Sequence, residues 1–151
     1  MSQNLIISQM KKLVEMRKNE RRLAQSEVFE AHQSEQRAGK LVSQAETDRD
    51  QALFNWEACR QSDHIDLSLE PMMAKQLIEH ESNLQQSTQL LILAKDRLDK
   101  KQSQWKLSDL QLKAAEKVEK VEARKMTRKI DERRLADVTD RFCFGSVEND
   151  R

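Results

Sequence analysis

Glycine and proline, the residues that most often interrupt helices, are almost missing from this sequence. Between residues 1 and 144 the only glycine is Gly39 and the only proline is Pro71. Because helices end where such residues cluster, the chain is predicted to contain very few breaks. Charged residues make up 35% of the chain and aromatic residues 4%, which is typical of long helices and coiled coils. So high a charge content also fits disorder, and the periodicity of the apolar residues decides between the two.

One segment, residues 61–73, has the composition of a turn. It combines Ser and Asp side chains, which compete for backbone hydrogen bonds, with a proline suited to the first turn of a new helix. We therefore predict helix 1 at about residues 4–60, a turn at about 61–70 and helix 2 at about 71–141. Together these form one helical hairpin over 1–144, followed by a disordered tail at 145–151.

Both predicted helices carry apolar residues at a spacing of seven. In helix 1, one column is nearly all small (Met10, Arg17, Ala24, Ala31, Ala38, Ala45, Ala52, Cys59), and a second alternates apolar with charged residues (Val14, Arg21, Val28, Glu35, Val42, Arg49, Trp56). Helix 2 carries a large column: Leu77, Leu84, Leu91, Leu98, Trp105 and Leu112. A seven-residue repeat held this long predicts a left-handed coiled coil.

The short turn predicts that the two helices pair antiparallel, as an all-α two-helix hairpin. A turn centred near residue 66 would put Val28 within a turn of Trp105, and Trp56 beside Leu77. We call the line of contact between the two helices, formed by these columns, the seam. Charged residues interrupt the seam, so we expect marginal stability that rises when a partner binds. Gly39 marks a close approach of the helices, a soft point or, as we favour, a tolerated glycine that costs about 1 kcal/mol against alanine.

Charge is distributed unevenly along the chain, although the net charge is only +1. Residues 11–22 hold six bases against two acids, and residues 113–134 hold nine against five. Residues 27–100 hold eight bases against fourteen acids. An antiparallel hairpin brings the two basic segments to the same end. They are either solvated faces with i to i+4 ion pairs or a binding surface for an acidic partner.

Helix 2 is predicted to outlast helix 1 by roughly ten residues, which leaves apolar side chains near its end partly uncovered. These are Val118, Val121, Met126, Ile130, Leu135 and Val138. They form either a docking surface or a packing surface for the N-terminal Leu5, Ile6 and Met10.

The residue patterns of catalysis are not found in this sequence. The three histidines have no ligand spacing with a cysteine, and neither a glycine-rich phosphate loop nor a nucleophile elbow is present. We therefore expect no enzyme activity, no metal and no cofactor. Cys59 and Cys143 fit free thiols in a reducing cytosol, and no signal peptide or segment able to enter a membrane is predicted.

The segment LLILAKDRLDKKQSQWKLSDLQLKAAEKV combines a leucine heptad column, broken by Trp105, with the Lys/Arg/Glu-rich helix that follows. With a basic amphipathic opening and a single central turn, the chain resembles the FliJ/YscO (SctO) family over nearly its whole length. These are the stalk proteins of flagellar and virulence type III secretion. The resemblance implies a mainly monomeric cytoplasmic protein at the secretion apparatus, whose open end inserts into the hexameric secretion ATPase. It also implies contact with the cytoplasmic ring of the export gate, and some family members handle export chaperones.

Carried onto this sequence, the resemblance assigns ATPase binding to eight cations: Arg17, Lys18, Arg21, Arg22, Arg124, Arg128, Arg133 and Arg134. It assigns export-gate binding to four residues near the turn: Met72, Met73, Gln76 and His80.

Four other functions compete with the stalk interpretation. A structural or tethering coiled-coil scaffold would dimerise strongly, and a chaperone-escort module would bind export chaperones. A prefoldin-like chaperone needs β-strands at the open end, and neither terminus has such a run. Nucleic-acid binding is disfavoured because aromatic residues are missing from the basic end and acids are interleaved there.

Overall fold

The computed structural model describes residues 2–62 and 67–148, with side chains up to residue 145. It contains two helices, α1 (Ser2–Gln61) and α2 (Leu69–Glu148), which pack against each other, and no strand in the described ranges. The predicted all-α hairpin is therefore confirmed. Residues 63–66 of the predicted turn lie outside the described residues.

Complementary charges mark the two helix ends that flank the turn. Arg60 lies in the last turn of α1 and Glu70 in the first turn of α2, where each charge is favourable to its helix dipole. The two side chains approach within 3.9 Å (Nε to Oε1), and the Arg60 guanidinium stacks 4.7 Å from the centre of the Trp56 ring. Pro71 is tolerated because it lies in the first turn of α2, where its missing N–H has no intrahelical partner.

The helix ends differ from the prediction, most of all at the end of α2. This helix begins at Leu69 rather than about 71, and it continues to Glu148 rather than ending near 141. Residues 145–148 are thus helical, where a disordered tail was predicted, and residues 149–151 lie outside the described part. Gly145 does not end the helix because it lacks the positive φ of a glycine C-cap.

The chain divides into two compact units. The terminal unit comprises residues 1–23 and 106–151, and the central unit comprises residues 24–105. Each consists of one stretch of α1 and one of α2.

In the central unit, the alanine column of α1 is buried as its spacing predicts. Ala24, Ala31, Ala38 and Ala45 are each at most 9% exposed, and Leu98 of α2 is 8% exposed. The other members of the leucine column, and Trp56 and Trp105, are half-buried. Small side chains on one helix therefore let its axis approach the large side chains of the other.

Ion pairs fix the antiparallel register of the central unit. Lys101 Nζ lies 3.2 Å from Glu27 Oε2, and Arg49 Nε lies 3.9 Å from Glu81 Oε1. The numbers of paired residues add up to 128–130, so Val28 is about level with residue 101 and Trp56 with residue 73. Both partners are about one turn nearer the hairpin turn than Trp105 and Leu77, the predicted neighbours, because the break between the helices is centred near residue 65.

In the terminal unit, a small apolar core forms where the two helices meet. Val14, Leu112 and Ala115 are 5%, 3% and 7% exposed, and Leu13 packs against them. Arg17 and Arg21 of α1 pair with residues 111 and 109 of α2, which is again an antiparallel register. By this register Ser2 lies about level with residue 127, and every described side chain from Thr127 to Gly145 is exposed. The uncovered end of α2 is thus about twice as long as predicted.

Candidate functional site: the basic terminal unit

The terminal unit carries the positive charge of this chain. Residues 1–23 and 106–151 contain eighteen Lys and Arg against twelve Asp and Glu, a balance of +6, while residues 24–105 contain nine against fourteen, a balance of −5. The division by compactness therefore coincides with a division by charge. A basic surface of this kind raises the local concentration of acidic partners and steers their association.

Three of the eight cations assigned to ATPase binding are used in ion pairs or hydrogen bonds within the unit. Arg17, in the seam, donates to Glu20 Oε2 at 2.9 Å and to Gln111 Oε1 at 3.1 Å. Lys18 Nζ donates to Glu15 Oε1 at 3.3 Å. Arg17 thus bridges the two helices, whereas Lys18 pairs within α1, and both side chains are partly occupied by these contacts.

Arg21 and Asp109 form the ion pair that joins the two helices of this unit most directly. Arg21 Nη1 donates to Asp109 Oδ1 at 3.1 Å, and Lys113 Nζ lies 2.8 Å from Asp109 Oδ2. The hydrogen bond from Lys113 is the main cause of a pKa of Asp109 below its ordinary value; desolvation opposes this shift, and the hydrogen bond from Arg21 adds a smaller lowering. The seam arginine at position 21, which the sequence shows as an interruption, is therefore a cross-helix contact.

The other five assigned cations form no ion pair with any residue in the described ranges. These are Arg22, Arg124, Arg128, Arg133 and Arg134, and all five are exposed. Arg124 and Arg128 line one shallow groove on α2 together with Ala123 and Thr127. Unpaired surface guanidinium groups keep their full hydrogen-bonding capacity for carboxylates of another molecule.

A second shallow groove runs along α1 in the terminal unit. Lys11, Lys12, Met16 and Leu23 are among the residues that line it. Met16 is 47% exposed and Leu23 is 64% exposed, so this face of α1 also combines apolar side chains with cations. Lys11 and Lys12 were not assigned a role, although their place in the basic segment 11–22 was visible in the sequence.

The four residues assigned to the export gate do not share one surface. Met73 and His80 belong to a second seven-residue column of α2, four positions before Leu77 and Leu84 of the leucine column, and both are half-buried. Met72, which is 53% exposed, and Gln76 are the two that lie on the exposed surface of the helix. The sequence already contains this information, because Ser87 and Ala94, which are also half-buried, follow residues 73 and 80 at the same seven-residue spacing.

The described residues contain no group of three or more His, Cys, Asp and Glu side chains placed to hold a metal ion, and His64 lies outside them. The hydropathy of the described helices does not reach what crossing a membrane requires. The features of this surface are charge, exposed apolar side chains and helical geometry, which are means of binding another protein.

No protein-family model, curated protein or solved structure matches this chain. A functional assignment must therefore rest on its residues and their arrangement.

Proposed function

We propose that this protein is the central stalk component of a type III secretion or flagellar export apparatus. In this role the terminal unit enters the hexameric export ATPase, and the protein links the ATPase to the export gate. The observation that carries the proposal is the terminal unit itself: two antiparallel helices with a charge balance of +6 and five exposed arginines without ion pairs in the described residues.

The two helices of the terminal unit are unequal, which suits a coupling function. The C-terminal part of α2 continues beyond the level of Ser2, where α1 begins. This extension carries Arg128, Arg133 and Arg134. A two-helix stalk inside a six-fold ring must contact the six subunits unequally. It can therefore bias the nucleotide states of the ring, provided that it binds those states with different affinities.

The proposal is tested by reversing the charge of the extension and measuring ATP hydrolysis by the cognate secretion ATPase. The triple variant Arg128→Glu, Arg133→Glu and Arg134→Glu is expected to abolish stimulation of the ATPase while the helical signal in circular dichroism stays unchanged. All three side chains are exposed, so the helix has no packing to lose.

A matched control reverses three exposed cations of the central unit, namely Arg37→Glu, Lys40→Glu and Lys75→Glu. This variant has the same net charge as the first and is expected to stimulate normally. Full stimulation by the terminal variant, or an equal loss in the control, would contradict the proposal.

The uncovered end of α2 also favours a second candidate, a coiled-coil scaffold that tethers other chains. Leu135 is 67% exposed and Phe142 is 80% exposed, and large apolar side chains exposed close together at a helix end indicate a surface that binds another chain. A scaffold of this kind would be a stable dimer or higher oligomer at low concentration, whereas the stalk is expected to be mainly a monomer. Light scattering combined with size-exclusion chromatography separates the two.

A further inference from the structure

A second column of apolar residues runs along α2 in the terminal unit, on the side away from the seam. It lies two positions after the seam column that contains Trp105 and Leu112, and it reads Leu107, Ala114, Val121, Arg128, Leu135 and Phe142. Five of its six members are apolar. Residues two positions from a seam column of a coiled coil point outward, away from the partner helix.

Two more apolar side chains, Leu110 and Val138, extend this column sideways. With Leu107, Val121, Leu135 and Phe142 they are 42% to 80% exposed. The resulting spacings, 107 to 110 and 135 to 138 to 142, alternate threes and fours as in the seam of a coiled coil. Such a pattern predicts that another helix packs along this side of α2.

Charge is sorted by face along the same stretch. We define the outer face as the residues one, two and five positions after each member of the seam column from Trp105 to Asp140. Between residues 106 and 142 this face holds eight bases: Lys106, Lys113, Lys117, Lys120, Arg124, Arg128, Arg134 and Arg141. It holds one acid, Asp131, whereas the remaining positions hold three bases and seven acids.

This sorting is stronger than the i to i+4 pairing of a solvated helix would produce, because that pairing interleaves both signs on one surface. Among the outer-face bases only Lys113 forms an ion pair in the described residues, with Asp109. The others present an apolar column bordered by unpaired cations. The complementary surface is an apolar column bordered by carboxylates.

We propose that the outer face of α2, residues 106–142, binds an amphipathic α-helix of another protein whose apolar face is flanked by Asp and Glu. The partner helix would lie along α2 on the side opposite the seam, as a third helix beside the hairpin. This binding mode does not rest on the proposed secretion function. Of the residues that define it, Arg124, Arg128 and Arg134 also belong to the set assigned to the ATPase, whereas Leu107, Val121, Lys117 and Lys120 are outside that set.

An anionic membrane surface is the competing occupant of a basic, apolar face, and the arrangement disfavours it. Between Val121 and Leu135 the outer face holds only Arg124, Thr127, Arg128, Asp131 and Arg134. A helix lying in a membrane interface needs a continuous apolar face, and Asp131 would meet anionic headgroups there. A partner helix needs one apolar side chain every three or four residues and pairs with the intervening cations.

The test uses the full chain and two synthetic helical peptides of about 35 residues, the length of this face. Both peptides carry leucine at the two positions of each heptad that would face α2. The positions that flank these leucines are glutamate in one peptide and lysine in the other. Like-charge repulsion keeps each peptide from pairing with itself. The glutamate peptide is expected to bind more weakly as salt is added, and the lysine peptide is expected not to bind.

Two matched variants locate the binding on the outer face. Replacing Lys117 and Lys120, both on this face, by glutamine is expected to weaken binding about fivefold. Replacing Lys125 and Lys129, which lie off this face in the same helix, by glutamine is expected to change it less than about twofold. The variant Leu135→Gln with Phe142→Gln removes exposed apolar side chains without touching the seam, and it is expected to weaken binding about tenfold or more.

Several results would overturn the proposal. Equal binding of the two peptides, or equal effects of the two lysine pairs, would show that general charge attraction acts instead of a face. Binding to vesicles of phosphatidylserine and phosphatidylcholine without binding to the glutamate peptide would assign the face to a membrane. Self-association of the chain that persists in excess glutamate peptide would assign it to a second copy.

Discussion

Leu112 of the terminal core offers the sharpest test of the packing. Its side chain is 3% exposed and lies with Val14 and Ala115 where the two helices of the terminal unit meet. Two positions away on the same helix, Leu110 is 64% exposed. The substitutions Leu112→Ala and Leu110→Ala are therefore the same chemical change at two environments that differ almost only in burial.

The expected cost of Leu112→Ala is about 2–3 kcal/mol of unfolding free energy. Removal of the buried side-chain carbons forfeits about 0.8 kcal/mol for each methylene equivalent, and the residual cavity adds to this. The value lies at the lower end of the usual range of about 2–5 kcal/mol because two helices can close on a gap more easily than a globular core. Leu110→Ala is expected to stay within about 0.5 kcal/mol, since little buried area is lost and alanine is the better helix former.

Urea unfolding of both variants and the parent chain, followed by far-UV circular dichroism, measures the difference. Leu112→Ala should lower the midpoint clearly, while Leu110→Ala should leave it nearly unchanged. An equal loss for both leucines, or a loss below about 0.5 kcal/mol for Leu112→Ala, would refute the assignment of the terminal core.

Three further substitutions test other parts of the fold. Ala31, which is 3% exposed, faces the large residues of α2, so Ala31→Leu is expected to force the helices apart and cost about 1–3 kcal/mol in urea unfolding. Gly39 has a helical backbone, and apart from its chain neighbours and the adjacent helix backbone no atom lies within 4 Å of the place that an alanine methyl group would take there. Gly39→Ala is therefore expected to raise stability by up to about 1 kcal/mol in the same assay; a loss would show that the helices need the glycine. Because the pKa of Asp109 is lowered in the folded state, its contribution to stability is present above the ordinary Asp pKa of about 4 and is lost as the pH falls through the lowered value. Asp109→Asn should therefore flatten that part of the acid unfolding curve, and an unchanged curve would contradict the lowered pKa of Asp109.

The hairpin and its seam were predictable because they depend on spacing alone. The column of Ala24, Ala31, Ala38 and Ala45 is buried as its seven-residue repeat requires, and no knowledge of partners is needed to read it. The end of α2 was not predictable in the same way. Gly145 is a helix-ending signal only if its backbone takes a positive φ, and the sequence does not show which conformation it takes.

The candidate site was predicted at the level of a region and not at the level of faces. Counting charges along the chain found the basic segments, but it placed Arg133 and Arg134 together although only Arg134 lies on the outer face of α2. The same count joined Arg21, which pairs across the helices, to Arg22, which pairs with none of the described residues. The seam columns sort each of these neighbours once the register is known. The cross-helix pairing with Asp109 was beyond reach, because it depends on a register that was predicted about one turn away.

The terminal unit has a small buried core and a long stretch of α2 without a helix beside it, and this affects how the unit responds to binding. Its buried core is limited to Val14, Leu112 and Ala115, while α2 continues for about twenty residues without α1 beside it. An isolated helix of that length and polarity is marginal in water, since helix stability comes mainly from packing an apolar stripe. A partner that covers the outer face therefore adds the packing that the seam no longer supplies beyond Met126. Amide hydrogen exchange should be fastest in residues 128–148 of the free protein. When the partner binds, exchange in this extension should slow by a larger factor than exchange in the terminal core. Equal protection before and after binding would show that the extension is stable by itself.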